Sequence, residues 1–346
     1  MTLNPSPLNI SRFAGCTLTG ALSVTTQIRD AVTVIHGPKG CTHHNFSLLH
    51  ATGLENDRVI LPDLISTSLT ESDIIYGGED TLDRTLEEVA NRPVSTIFVL
   101  STCIVDTIGD DVAAVCRKDR TVQVIPIPTA GFLGGTFQNG VNNALNAIAE
   151  TARPCKKVRC VNIIGEKNLE YEVDENFAEV LRLLTLLKIP VNLRFLHNCT
   201  MNDIVRLGAA RLNILRDDDL RSVGDYLEKQ FKTPYISSYP FGLAGTIYFL
   251  EAVAGIFGVP CSAAVHAEKA LQEKILGAFT DIRGSSITFE PSLIPSESFK
   301  IASDVAERID ITIDSGGCRV PLELSPPVGT TGIQRMLHRW RRAIHA

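Results

Sequence analysis

Surplus positive charge, long apolar runs and closely paired cysteines are all missing from this 346-residue sequence. Lysine and arginine number 33 against 39 aspartates and glutamates, for a formal net charge of −6. A nucleic-acid binder carries a basic stripe, and the one basic run here, HRWRRAIHA over 338–346, is short. It reads as a solvated last helical turn whose cations suit the negative end of the helix dipole. No stretch reaches the roughly 18 uncharged apolar residues of a membrane span, and the opening MTLNPSPLNISRF has no apolar core of signal-peptide length. Neither a nucleic-acid partner nor a membrane is expected, and the chain reads as cytoplasmic.

Other absences narrow the chemistry. No two cysteines stand in a CxxC pair, so the zinc-ribbon and bacterial-ferredoxin patterns do not apply. The stretch GPKGCTHH over 37–44 lacks the GxxxxGK[ST] spacing whose amides cradle phosphates, so ATP is not expected on this chain. There is no internal repeat and no low-complexity tract. Nine cysteines, an odd number spread along the chain, do not make a disulfide framework. In a reducing compartment they are core thiols, metal ligands or nucleophiles.

What is present is an alternation. Apolar runs of strand length, AVTVIHG, STIFVLSTC, VQVIPIPT, VRCVNIIG, PVNLRFL, LNILR, TPYISS, SSITFEP and IDITIDSG, alternate with helix-length amphipathic stretches over 80–91, 139–151, 173–187, 217–231 and 242–257. Gly, Pro, Asn or Asp flanks each helical stretch. This grammar predicts an α/β chain of βαβ units with parallel sheets: two to three doubly wound, Rossmann-like modules, the last abbreviated. Breaks at ETARPCKK and near 258–264 divide it into a first module over 1–153, a second over 154–260 and a third over 261–346.

In doubly wound modules, function gathers at the carboxyl ends of strands. Cys41 follows the strand AVTVIHG across a Gly-Pro-Lys-Gly turn, Cys103 ends STIFVLSTC, and Cys16 lies in FAGCTLTGA upstream of the first helix. Glycines precede Cys16 and Cys41, where close backbone approach suits a bulky inorganic cluster, and thiolates are the ligands iron and sulfide prefer. Spacing alone leaves a metal site and ordinary thiols both open. Cys116 in a helix, Cys155 and Cys160 around a strand start, Cys261 after a proline, and Cys199 and Cys318 in loops near helix starts read as small buried thiols.

Four motifs in order are more specific: AGC at Cys16, HGPKGC at Cys41, DIIYGGEDTL over 73–82 and STCIVDTIGDDV over 101–112. Together they resemble the first domain of the nitrogenase component 1 family. The likeness continues through TAGFLGGTFQNGVNNAL and, more loosely, CTMNDIVRLGAARLNIL and YLEKQFKTPYISSYPFGL, and so covers most of the chain. The resemblance implies that Cys16, Cys41 and Cys103 hold a P-cluster or a simpler 4Fe-4S cluster at a subunit interface, most simply of a homodimer. It also implies that electrons arrive from a separate iron protein that binds and hydrolyses Mg-ATP.

Departures from the family pattern redirect the substrate. Where the nitrogenase catalytic subunit has a cysteine after the strand RLNILRDDD, this chain has Arg216 and Asp217, and a long third domain carrying the cofactor-binding histidine is not expected. Dinitrogen reduction is therefore disfavoured. The resemblance then implies a nitrogenase-like tetrapyrrole reductase, closest to the reductive cyclisation of Ni-sirohydrochlorin a,c-diamide. That reaction closes a γ-lactam ring in coenzyme F-430 biosynthesis, a route of methanogenesis. A protochlorophyllide-type reductase and a non-catalytic scaffold for metal-cofactor maturation are the alternatives, with an α/β binding protein carrying incidental cysteines as a third class.

His43 and His44 are candidates for contacting substrate or delivering protons, since imidazole changes charge near neutral pH; the plainer reading caps the helix after Cys41 or packs beside the cluster. His36 reads as a strand-end residue bonded to backbone. Lys39 and Arg12 could meet an anionic macrocycle or merely form surface ion pairs. A fourth cluster ligand is open between Asp106 or another oxygen donor, a residue of a second copy, and an open iron.

Overall fold

The computed structural model describes residues 15–56, 61–132, 134–289, 296–322 and 325–346; Arg12 lies outside them. In chain order the elements that matter are α1 Thr17–Thr25, β1 Ala31–His36, α2 Lys39–Glu55, β2 Leu64–Ser66, α3 Glu71–Tyr76, α4 Glu79–Ala90, β3 Thr96–Ser101, α5 Cys103–Ile108, α6 Val112–Cys116, β4 Gln123–Ile127 and α7 Phe137–Ala149. There follow β5 Val161–Ile164, α8 Val173–Leu186, β6 Val191–Phe195, α9 Met201–Ile204, β7 Leu212–Leu215, α10 Arg221–Phe231, β8 Tyr235–Ile236, α11 Gly242–Phe257 and α12 Ser262–Gly277. The last are β9 Ser286–Thr288, α13 Ser296–Arg308, β10 Thr312–Ile313, β11 Cys318–Arg319 and α14 Gly329–Ile344.

Three sheets form, ordered β2-β1-β3-β4, β6-β5-β7-β8 and β10-β9-β11, and the strand registers found among them are parallel. The α/β class with parallel sheets is thus what the alternation predicts. Strands β1 and β3 are buried almost throughout, because a parallel sheet covered by helices on both faces has no wet side to alternate toward. The sheets occupy successive spans of the sequence, but packing groups the chain into two compact units. One runs to Tyr171 and resumes over Asn192–Tyr235; the other holds Glu172–Val191 and Ile236–Ala346. The first unit carries two sheets because one apolar core is continuous through it, from Leu22, Phe98 and Leu145 to Ile164, Leu215 and Leu227.

Within that unit α1 crosses α7 at backbone distance. A Cβ at Gly20 would lie 1.9 Å from the carbonyl oxygen of Phe137, and one at Gly140 would lie 1.9 Å from that of Thr17. Glycine at both positions is what lets the helices meet this closely. The N-terminus of α7 is closed by a capping box, in which Thr136 accepts from the Asn139 N–H at 3.2 Å and Asn139 accepts from the Thr136 N–H at 2.8 Å.

The second unit has its own core around Phe279, Ile287, Ile333 and Trp340. Arg182 is gripped there by two buried carboxylates, with bonds of 2.7 and 2.9 Å to Glu179 and two of 2.8 Å to Glu268. Burial pushes the Glu179 carboxyl up, yet the Arg182 guanidinium outweighs it and holds it below its ordinary range.

Four local expectations need correction. The basic run ending the chain is not a solvated turn: Trp340 is fully buried, and Arg341 bonds Asp281 at 2.6 Å while lying 4.2 Å over the Phe279 ring. Cys318 lies in strand β11 rather than in a loop near a helix start. Cys41 is inside α2 rather than before it. The His36 ring bonds side chains rather than backbone, for reasons that belong to the site.

Candidate functional site

In the first sheet the chain order reverses between β1 and β3, the place where doubly wound folds open a crevice at the carboxyl ends of strands. Two of the three cysteines emerge there. Cys41 stands in the first turn of α2, four residues beyond Gly37, and Cys103 is the first residue of α5, two beyond the end of β3. Cys16 is the N-cap of α1, which brings a third helix start to the same place.

Gly131 ties two of these thiols together. Its N–H donates to Cys103 Sγ at 3.3 Å, and a Cβ there would sit 3.3 Å from that sulfur and 3.7 Å from Cys16 Cβ. Cys41 is coupled to the same pair: burial pushes its thiol up, and charge on Cys16 and Cys103 pushes it further in the same direction. Three thiolates so placed repel one another unless a cationic centre offsets them. Among the described residues no group of three His, Cys, Asp or Glu closes around a single metal ion. In a polynuclear iron-sulfur cluster each cysteine bonds its own iron, so wider spacing of the thiols is what that chemistry requires.

The surroundings fit such a group. None of the helices α1, α2 and α5 has a side-chain cap at its N-terminus, whereas α3, α7 and α9 are each closed by a threonine capping box. The uncapped ends leave first-turn backbone N–H groups without a side-chain acceptor. The Oγ1 atoms of Thr17, Thr42 and Thr102, each beside one of the cysteines, are buried without a hydrogen-bond partner. By contrast, burial pushes the Cys116 and Cys199 thiols up to about 12, as befits inert core residues.

A buried pair fixes the scaffold beneath. His36 Nε2 meets Asp110 Oδ2 at 3.1 Å, and Nδ1 meets Thr67 Oγ1 at 3.1 Å. Asp110 also accepts from the Gly78 N–H at 3.1 Å, and the Thr102 N–H donates to the His36 carbonyl at 3.0 Å. The motifs HGPKGC, DIIYGGEDTL and STCIVDTIGDDV therefore meet at one histidine. Burial lowers the His36 pKa, against the opposing pull of Asp110, and favours the neutral ring.

The two histidines after Cys41 part company on the helix. His44, three residues on, shares the cysteine's face, as does Asn45, whose Nδ2 donates to the Cys41 carbonyl at 2.8 Å; His43 points elsewhere, and both histidines are exposed. Asp106 is exposed one turn after Cys103, and Lys39 is exposed at the start of α2. A Cβ at Gly40 would meet nothing within 4 Å, so the close-approach glycine is Gly131 rather than the one preceding Cys41.

The second sheet reverses between β5 and β7, and a cleft of about 210 Å³ opens at their carboxyl ends, lined by Phe137, Gln138, Glu166, Lys167, Asp217 and Leu220 among others. Beside it lie two ion pairs. Arg194 grips Glu166 at 2.7 and 2.8 Å, and buried Arg216 reaches Glu170 at 3.1 Å. The end of β7 is thus filled by a paired guanidinium.

Known proteins resemble the chain in sequence and in fold. The family model of nitrogenase component 1 type oxidoreductases matches residues 16–287. The nitrogenase iron-molybdenum cofactor biosynthesis protein NifE of Clostridium pasteurianum is 31% identical over 250 residues, 70% of this chain and 54% of that one. The nitrogenase molybdenum-iron protein alpha chain of Methanothermobacter thermautotrophicus is 29% identical over 267 residues, 71% of this chain and 56% of that one. The chain spans about half the length of the curated relatives it matches. The fold corresponds to that of a solved structure of nitrogenase Cp1 at pH 5, with a TM-score of 0.69 and 22% identity over 87% of this chain and 63% of that one. Among the described residues no helix is long and apolar enough to cross a membrane.

Proposed function

The chain belongs to the nitrogenase component 1 type oxidoreductase family, and from that premise we propose that it is the substrate-reducing subunit of an ATP-dependent, nitrogenase-like tetrapyrrole reductase. Cys16, Cys41 and Cys103 hold a 4Fe-4S cluster, shared in a homodimer, and a separate iron protein hydrolyses ATP and delivers electrons to it. The substrate is Ni-sirohydrochlorin a,c-diamide, reduced and closed to a γ-lactam on the route to coenzyme F-430 in the cytoplasm. The observation that carries this reading is the meeting of three cysteines at three uncapped helix starts, with partnerless hydroxyls beside them.

When bound, the cluster supplies one-electron steps at a potential set by its surroundings. The protein's part is to place it. The His36–Asp110 pair fixes the end of β1, Gly131 holds Cys103, and the α1–α7 crossing positions Cys16. His44, on the face of Cys41, is the residue to hold and give a proton to the macrocycle. Arg216 at the end of β7 supports an organic substrate over an inorganic cofactor, since it offers a guanidinium where a metal cofactor needs a thiol.

A second reading, a scaffold on which a metal cofactor matures, is favoured by the 31% identity to a cofactor biosynthesis protein. Turnover separates the two. Anoxic incubation with a nitrogenase-type iron protein, Mg-ATP, dithionite and Ni-sirohydrochlorin a,c-diamide is expected to give a spectrally distinct reduced product. An unchanged spectrum, with protochlorophyllide equally inert, would leave the scaffold reading in possession. A colourless protein without iron or sulfide would remove both.

A further inference from the structure

We infer that the hydroxyls of Thr17, Thr42 and Thr102 form a collar around the three-cysteine site, donating hydrogen bonds to sulfur there and holding up the reduction potential of the cluster. This rests on the proposal that the three cysteines bind a 4Fe-4S cluster. Among the described residues these are the threonines whose Oγ1 is buried and without a partner. Each adjoins a site cysteine in sequence: Thr17 follows Cys16, Thr42 follows Cys41, and Thr102 precedes Cys103.

Among the described residues the ordinary local partners of a threonine are not used here. A threonine within a helix donates to the carbonyl four residues back, as Thr52, Thr107 and Thr246 all do here at 2.6–2.9 Å. Thr17 and Thr42 stand in first turns, where the residue four back precedes the helix. Thr102 occupies an N-cap position without capping, although Thr70, Thr136 and Thr200 cap their helices in the same position. Thr17 and Thr102 are each 2% exposed, so water is not an easy substitute. Buried hydroxyls in native proteins almost always have partners, and three orphans, each beside one of the cysteines, indicate a shared acceptor that the described residues do not supply.

The surrounding glycines agree. The position that a Cβ at Gly131 would take lies 3.3 Å from Cys103 Sγ and 3.9 Å from Thr17 Oγ1, so hydroxyl and thiol flank one backbone position. A Cβ at Gly135 would strike Thr17 Oγ1 at 2.3 Å, and one at Gly37 would strike Thr102 Oγ1 at 2.2 Å. Side chains at these positions would displace the hydroxyls. Reduction adds negative charge to the cluster and its thiolates, and an O–H donor stabilises that charge, so each donor shifts the couple toward the reduced form.

The test is a potential. The full-length protein and its Thr17→Val, Thr42→Val, Thr102→Val and Thr17→Val/Thr102→Val variants would be reconstituted anaerobically, assayed for iron and sulfide, and titrated under EPR. Valine keeps the shape and removes the donor; Thr→Ala variants serve where valine disturbs folding, and Thr→Ser variants restore the hydroxyl. At the wild-type midpoint the double valine variant is expected to show a reduced-to-oxidised ratio lower by about tenfold, a shift of ~59 mV for one electron, with serine variants near wild type. Fully loaded valine and alanine variants titrating at the wild-type midpoint would overturn the collar. Wild-type protein that takes up no iron or sulfide would instead overturn the cluster assignment on which it rests.

Discussion

The backbone N–H of Gly131 donates to the sulfur of Cys103 at 3.3 Å, a bond that joins positions 28 residues apart. The loop after β4 is thereby one wall of the cysteine site. The bond fixes where the Cys103 sulfur sits relative to that loop.

Enlarging that wall has a definite consequence. A Cβ at Gly131 already comes within 3.3 Å of the sulfur, so Gly131→Val forces Cys103 and Cys16 aside. Iron and sulfide content after anaerobic reconstitution is expected to fall by more than half, while the thermal midpoint stays near wild type; undiminished iron would show that the loop does not line the site.

Cysteine replacement distinguishes ligands from core thiols. Serine at Cys16, Cys41 or Cys103 is expected to abolish or distort the cluster's absorption and EPR signals. Cys116, buried at the end of α6, should tolerate serine with those signals intact. The opposite pattern would move the cluster elsewhere.

The histidines should separate in kinetics. On helical geometry His44 lies over the Cys41 side of α2 and His43 does not. His44→Asn is expected to lower turnover by about 10²-fold, the scale of a lost general acid, with the cluster signal unchanged. His43→Asn should remain near wild type, and equal effects would deny His44 a special role.

The Arg182 clamp sets a stability test. Arg182→Leu strands the Glu179 and Glu268 carboxylates in a dry interior and is expected to cost ~3–5 kcal/mol in urea unfolding. The clamp also gives a pH signature. Because Glu179 titrates below its ordinary range when folded, it binds fewer protons folded than unfolded; its stabilisation is full above the ordinary glutamate range near ~4.3 and is lost as pH falls through the folded value. Urea midpoints that hold level into acid would contradict this.

The parts of the fold legible in sequence were those carried by local pattern. The stretches 173–187 and 242–257 form Val173–Leu186 and Gly242–Phe257, since long amphipathic or apolar stretches with clear stops declare themselves. Strands β2 and β11, of three and two residues, are too short to show any period. Strand-end logic also brought Cys41 and Cys103 to notice, whereas the wall made by Gly131 and the bond from His36 to Asp110, 74 residues apart, arise from tertiary pairing that has no local signature. The same applies to Arg341: a run of cations looks solvated until a partner such as Asp281 is supplied from 60 residues away.

The crossing of α1 over α7 constrains what substitutions the chain can absorb. Each glycine there abuts the main chain of the opposite helix, Gly20 against Phe137 and Gly140 against Thr17. A side chain added at one position strikes a peptide group, which no change of residue type can shrink. The two positions therefore cannot rescue each other, and a methyl group at either must be met by moving a whole helix, taking with it Cys16 from one end or the Thr136 cap from the other.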